Sequence, residues 1–417
     1  MYRAIFDARR FGLFAGLGYI CFIVNSNMSV MLRKIKVNLL VLIVIAIAAG
    51  IGCGFFIPEW AARVFLTFNA IFAQFLGFMI PLIILGFVAP AIAHIGRSAG
   101  VMLVATVVIA YIFTSLSGFF AFGVGEWVFP SLVEPRHLDA AGSVAIAPYF
   151  TVEMPPLMGV MTALVLAFVT GICMAYLRTG ALRKGFDEFR DCVQLTITKA
   201  IIPLLPLYIF GIFLNMTMQG DVASVLGTFA GIIGVIFVMH IVLLLFQYCV
   251  AALFVRRNPL KMLLTMMPAY FTALGTQSSA ATIPVTLRQT IRMGVREDIA
   301  GFVVPLCATI HMSGSTMKIV ACALAVMIME GMAWSTGMFA GFIMMLGITI
   351  VAAPGVPGGA IMASLGLLAS ILGFNADQQS LMIALYITMD SFGTACNVTG
   401  DGAIAQIIQS VFTRKRS

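Results

Sequence analysis

Ala353-Pro354-Gly355-Val356-Pro357-Gly358-Gly359 breaks a 46-residue window, 331–376, that contains no Asp, Glu, Lys or Arg. Prolines and glycines at this density cannot continue a helix. A hydrocarbon core about 30 Å thick takes roughly 20 residues of helix, so the window is too long for one span. It also has no polar connector that would divide it into two. An apolar–breaker–apolar segment whose ends return to the same side is a re-entrant hairpin. Window 262–287 repeats the pattern around a polar tip, Thr276-Gln277-Ser278-Ser279-Ala280-Ala281-Thr282. Irregular backbone at membrane depth survives only where it lines protein or a water-filled cavity. Both tips therefore point to one internal site.

The composition agrees. Hydrophobic residues make up 61% of 417 and charged residues 10%, against about 25% charged in a soluble chain. Mean hydropathy is +1.08. The net charge of +8 is spread singly or in short clusters between apolar runs, not gathered on one face as nucleic-acid binding requires. Eight cysteines show no CxxC spacing, so neither a disulfide framework nor a zinc site is indicated. Charge-free windows at 37–58, 64–96, 98–125, 154–177, 200–220 and 222–255 each hold one span. With the two hairpins and two later spans, the expected fold is an all-α polytopic membrane protein of eight transmembrane helices and two re-entrant hairpins.

Basic clusters set the orientation. Arg33, Lys34 and Lys36, then Arg178, Arg183 and Lys184, then Arg256, Arg257 and Lys261, then Arg414, Lys415 and Arg416 all fall on one side of an eight-span chain. Both termini are then cytoplasmic, and the hairpins open from opposite faces. Opposed hairpins meeting near the midplane are the geometry of a secondary transporter built from inverted repeats. Residues 1–32 form an extension to which no role is assigned, 33–413 the membrane domain, and 414–417 a basic tail.

The segment after each hairpin carries residues that are costly in a bilayer. Span 298–329 holds His311-Met312-Ser313-Gly314-Ser315 and Lys318; span 376–413 holds Asp390, Asn397 and Asp401. Each ionisable residue costs about 2.5–3.5 kcal/mol on insertion scales and usually faces a pathway or a partner.

In these four elements the chain resembles the dicarboxylate/amino acid:cation symporter family, whose members transport aspartate, glutamate or neutral amino acids. The run from Thr272 to Ser279 with Thr282-Ile283-Pro284-Val285-Thr286 looks like the family's serine-rich hairpin and its TLPVT continuation. Pro305–Ser315 is similar to its PLGATINMDGT helix break, and Gly355-Val356-Pro357-Gly358 to the second tip. Asn397-Val398-Thr399-Gly400-Asp401 is the family's NVTGD unchanged.

The resemblance implies roles residue by residue. Asp390 falls where the family holds a substrate ammonium; Thr394 and Asn397 match side chains at the substrate's amino and carboxylate groups. Ser278 and Ser279 match a tip whose backbone N–H groups receive a carboxylate, as helix N-termini do. Gln277, Met312, Ser315, Val356, Pro357 and Gly358 complete the expected substrate site. Acidic-substrate members carry an arginine three residues after that aspartate, a bidentate fork for a second carboxylate. Here the position is Gly393, and Gln277 replaces the arginine that some members carry in the first hairpin. A neutral amino acid is the expected substrate.

For cations the resemblance implies Asp401 and Asn397 as sodium ligands, Thr309 and Met312 at a second site, and Tyr111, Thr114 and Ser115 at a third. Hard cations take oxygen donors. The third site also draws on the asparagine and aspartate of NMDGT, which are His311 and Ser313 here, so it is expected to be weakened. His311 reads equally as a proton carrier or a structural histidine. Lys318 reads as a cation substitute, a carboxylate ligand or a partner of Asp390 or Asp401. No cofactor beyond a coupling ion, sodium, is expected.

Spans 37–94 and 155–218 are expected to form a scaffold that makes a homotrimer in the cell's inner (plasma) membrane. The segments 98–127 and 223–413, with hairpins at 260–290 and 334–373, form an elevator-like mobile part. The expected partners are a small-molecule substrate and lipid, with no nucleic acid. Two other readings stay open: a dicarboxylate or acidic amino-acid symporter using Lys318 or a proton-coupled His311, and a hydrolase built on Ser315-Thr316-Met317-Lys318. The latter has the S-x-x-K spacing of serine–lysine nucleophiles but no S-D-N or K-T-G partner.

Overall fold

A computed structural model of the chain describes residues 39–97, 101–133, 146–177, 180–218, 222–351, 353 and 358–413. The extension 1–32, the tail 414–417, Val356 and Pro357 lie outside the described residues. Residues from Ile43 form one packed unit, and those up to Leu42 form another, of which only Leu39–Leu42 are described.

Among the described residues every regular element is a helix. The first six windows give α1 (Leu39–Gly54), α2 (Glu59–Arg97), α3 (Val101–Leu132), α4 (Val160–Tyr176), α5 (Ala181–Thr196) continuing through a π-helical turn into α6 (Ile202–Met218), and α7 (Val222–Val255). Among the described residues, five stretches are long and apolar enough to cross a bilayer on their own: Glu59–Pro90, Val101–Leu132, Ala181–Met218, Gly227–Val255 and Glu297–Met329. A sixth, Ala376–Thr413, bends by 61°. The fourth expected span is short, at 17 residues in α4, and α1 ends at Gly54. The sequence explains both limits. Pro58 draws the chain after α1 away from helical geometry, and Pro155 and Pro156 keep the start of the fourth window extended.

Each expected hairpin is a pair of packed helices. The first is α8 (Pro259–Thr276) with α9 (Ser279–Arg292); the second is α12 (Thr336–Ile350) with α13 (Gly359–Leu372). Asn258 caps α8 by accepting from Lys261 N–H, with Pro259 in the first turn, where its missing donor is harmless. Ser335 caps α12 through Met338 N–H. Between the hairpins, α10 (Glu297–Ile310) and α11 (Ser313–Met329) form one broken span. After them, α14 (Ala376–Thr388), opened by an Asn375–Gln378 capping box, meets α15 (Asp390–Thr413) at Met389.

The helices that carry Lys318, Asp390 and Asp401 are buried. α11 is buried along its whole length, and α15 is buried through Asn397, Asp401 and Gln406. α3 packs on α11, and α7, α8, α9 and α10 pack on α15. α2 packs on α4, α5 and α6, and the Tyr208 hydroxyl of α6 meets Ser380 of α14. Large apolar side chains such as Trp60, Trp127, Val165 and Leu253 face outward, as hydrocarbon contact requires. Lys318, Asp390 and Asp401 therefore sit in protein rather than in lipid.

Candidate functional site

Four helix breaks converge, and each frees backbone groups. At the first hairpin tip Gln277 adopts a left-handed conformation (φ 53°), a strained choice for a residue with a Cβ, and Ser278 is extended. Ser278 caps α9 through Ala281 N–H, and Thr276 and Thr282 join their hydroxyls at 3.0 Å. In the α10–α11 span, His311 and Met312 leave helical geometry, so α11 begins at Ser313 with free N–H groups. Asn397 meets that terminus. Its Oδ1 accepts from Gly314 N–H at 2.8 Å and Ser315 N–H at 3.3 Å, and its Nδ2 donates to Ser315 Oγ at 3.0 Å.

Asp390 opens α15 and is 4% exposed. Its Oδ2 accepts from Gly358 N–H at 2.7 Å, at the foot of α13, and its Oδ1 lies 3.5 Å from Lys318 Nζ. Lys318 is fully buried, donates to Met389 O at 3.1 Å and lies 3.8 Å above the centre of the Tyr386 ring. Its ammonium end fills the space where any side chain at position 393 would begin: a Cβ on Gly393 would come within 2.6 Å of Nζ. Of the readings left open for Lys318, the pairing with Asp390 is the one formed in this structure. Lys318 directs its hydrogen bonds to Met389 and Asp390, not to Ser315, so the serine–lysine pairing is not formed.

A cleft of about 300 Å³, including its mouth, lies between the breaks. Of the expected substrate residues, Gln277, Ser279, Met312, Ser315, Asp390, Thr394 and Asn397 line it. Ser278 stands beside it at the hairpin tip, and Gly393 lies behind it against Lys318. Tyr386, Gly359 and Ala360 also line it, and sequence reasoning missed them. Tyr386 was detectable as an aromatic one turn before Asp390; Gly359 was read only as a helix breaker, and Ala360 carried no signal.

The expected cation residues form a second layer. His311 Nδ1 lies 2.9 Å from Asp401 Oδ1, and His311 Nε2 lies 2.9 Å from Ser313 Oγ. Gln247 of α7 donates to Ser313 Oγ at 2.9 Å. This lone amide in an apolar span carried a signal that the sequence reading did not use. Thr114 Oγ1 accepts from Met312 N–H at 3.4 Å, and the buried Ser115 hydroxyl has no hydrogen-bond partner. Tyr111 instead donates to Met344 O in the second hairpin, and Thr309 is exposed, donating to Leu306 O. The breaks thus gather Asp401, Asn397, Met312, Thr114 and Ser115, with the Thr309 backbone at the end of α10 beside them, while the Tyr111 hydroxyl points elsewhere.

The sequence profile of the sodium:dicarboxylate symporter family matches residues 39–411. The chain belongs to that family. Its members are transporters rather than enzymes, in keeping with the unformed serine–lysine pair. The chain is also similar to the human excitatory amino acid transporter 2, 31% identical over 154 residues, and to the mouse excitatory amino acid transporter 2, 30% identical over 154. The matched stretch covers 37% of this chain and 27% of each relative's length. As a member of a membrane-transporter family with several long apolar helices, the protein is a multi-pass membrane protein. The helix breaks, the cleft between them and the buried carboxylates are the parts of the chain with chemistry to offer.

Proposed function

We propose that the protein is a secondary active symporter for a small neutral amino acid, coupled to sodium. The observation that carries the reading is the charge balance around Asp390. Lys318 and Asp390 cancel, so the cleft has no spare fixed cation for a second carboxylate. A zwitterion adds no net charge; an acidic amino acid would add one negative charge and a dicarboxylate two, each uncompensated in a poorly solvated site. The zwitterion's ammonium would take Asp390 Oδ2, and its carboxylate would take the N–H groups at the first hairpin tip and the Asn397 amide.

Sodium would use Asp401 and Asn397, and the Ser115 hydroxyl, buried without a partner, is a further donor. His311 and Ser313 are bonded to each other, to Gln247 and to Asp401, which supports a weakened third site. The dense packing of α2 on α4, α5 and α6, with lighter contacts from α13 and α14 onto that group, supports a division into scaffold and moving part. A homotrimer, elevator-type motion, an inner-membrane location and cytoplasmic termini belong to the same reading.

Uptake into proteoliposomes tests it, with alanine, serine, threonine, aspartate and succinate offered under sodium, proton or no gradient. Concentrative uptake of alanine or serine, driven by sodium and poorly inhibited by aspartate, is the expected result. Preferred uptake of succinate would overturn the substrate, and indifference to sodium would overturn the coupling.

A further inference from the structure

We propose that Lys318 is a resident counter-cation that neutralises Asp390 when no substrate is bound, so that the unloaded carrier can close and return without carrying a second cation back. The proposal deepens the reading above and rests on Asp390 as the seat of the substrate ammonium.

A carboxylate that receives a substrate ammonium faces a problem once the substrate leaves. Its charge is left buried and unpaired, and breaking a buried pair by removing one partner is strongly destabilising. A carrier can keep the site open to water, take in another cation, or supply one from its own chain. This chain holds the third solution. Lys318 Nζ is 3.5 Å from Oδ1, is fully buried, and is steadied by Met389 O and the face of Tyr386. The second oxygen, Oδ2, is taken by Gly358 N–H at 2.7 Å. Gly358 has φ 75° and stands immediately before α13, so this bond ties the foot of the second hairpin to the carboxylate. One oxygen is thus assigned to the resident cation. The other can pass between a backbone donor of the hairpin and the ammonium of a substrate.

The charge count is zero in both conditions. Without substrate, Lys318 and Asp390 cancel; with a zwitterion present, they still cancel and the ligand adds nothing. Gly393 is part of the device, because a Cβ there would meet the Lys318 side chain at Nζ, 2.6 Å away. A small residue at 393 and a lysine at 318 are therefore one feature, not two.

The test separates the two halves of the transport cycle. Exchange, measured as labelled alanine entering vesicles preloaded with unlabelled alanine, uses only loaded crossings. Net uptake into vesicles without internal substrate requires the unloaded return. With choline as the internal cation, Lys318→Met should lower the ratio of net uptake to exchange by about tenfold or more, the scale of a lost buried partner. Internal potassium should restore the ratio in the variant and leave wild type unchanged. Gly393→Ala keeps the lysine but displaces it, so it should lower the ratio in the same direction even if Lys318→Met fails to fold. Equal losses of exchange and net uptake in both variants, or a wild type that itself needs internal potassium, would overturn the proposal. The ratio can be read with alanine or with aspartate, whose ammonium would use the same carboxylate. A wild type that refuses alanine thus counts against the substrate reading, and an unchanged ratio with a transported substrate counts against the resident cation.

Discussion

Asp390→Asn is expected to weaken binding of a neutral amino acid by about 3–5 kcal/mol, roughly two to nearly four orders of magnitude in Kd. The variant keeps the shape and an acceptor for Gly358 N–H but removes the charge that an ammonium needs. It also strands Lys318, fully buried and 3.5 Å away, without its counter-ion. Two effects are therefore mixed, and a second variant separates them. Adding Lys318→Met to Asp390→Asn removes both charges of the pair, and exchanging a buried ion pair for neutral groups is often tolerated. The double variant should recover much of the thermal stability lost by the single one, while amino-acid binding stays weak. Binding measured by calorimetry alongside thermal melting would show it. Recovery of binding together with stability would mean that Asp390 only serves to neutralise Lys318.

Asp401→Asn is expected to remove sodium stimulation of uptake while leaving a folded protein. Asp401 is 1% exposed and is the carboxylate nearest the α10–α11 break. A sodium ion at that depth needs a charged oxygen to offset its dehydration, and the neighbouring hydroxyls and amides supply only dipoles. An asparagine can still accept a hydrogen bond from His311, so the local network has a reason to persist. Reversal potentials in proteoliposomes should count two or fewer sodium ions per substrate in the wild type and no sodium dependence in the variant. Three ions in the wild type would restore a full third site at Tyr111, Thr114 and Ser115. Unchanged sodium dependence in the variant would reduce Asp401 to a structural partner of His311.

Much of this was legible in the sequence, because breakers and buried charges are local signals. Pro354–Gly359 and Gln277-Ser278 mark the hairpin tips, since few residues can disrupt an apolar helix in those ways. Asp390, Asn397 and Asp401 stand out because a bilayer makes polar side chains costly. Less was legible where the answer depends on which helices meet. Nothing in the local sequence says that Lys318 turns toward Asp390 rather than Asp401, because that choice is made by the packing of α11 against α15 and by the missing Cβ of Gly393. The same holds for Gln247, whose partners His311 and Ser313 come from another helix. Tyr111 was carried over by alignment to a motif, but its hydroxyl is turned to Met344, an orientation that a motif does not encode.

The most direct test of the charge-balanced cleft is equilibrium binding to the purified protein in detergent at saturating sodium, where no gradient or return step intervenes. Alanine, serine, aspartate and succinate would be titrated separately and then in competition. A cleft in which Lys318 and Asp390 cancel should bind alanine and serine at least about tenfold more tightly than aspartate, and succinate not measurably, because each unmatched carboxylate must be desolvated without a partner. Tighter binding of succinate than of alanine would contradict the account, and would mean that Lys318 leaves Asp390 to hold a substrate carboxylate.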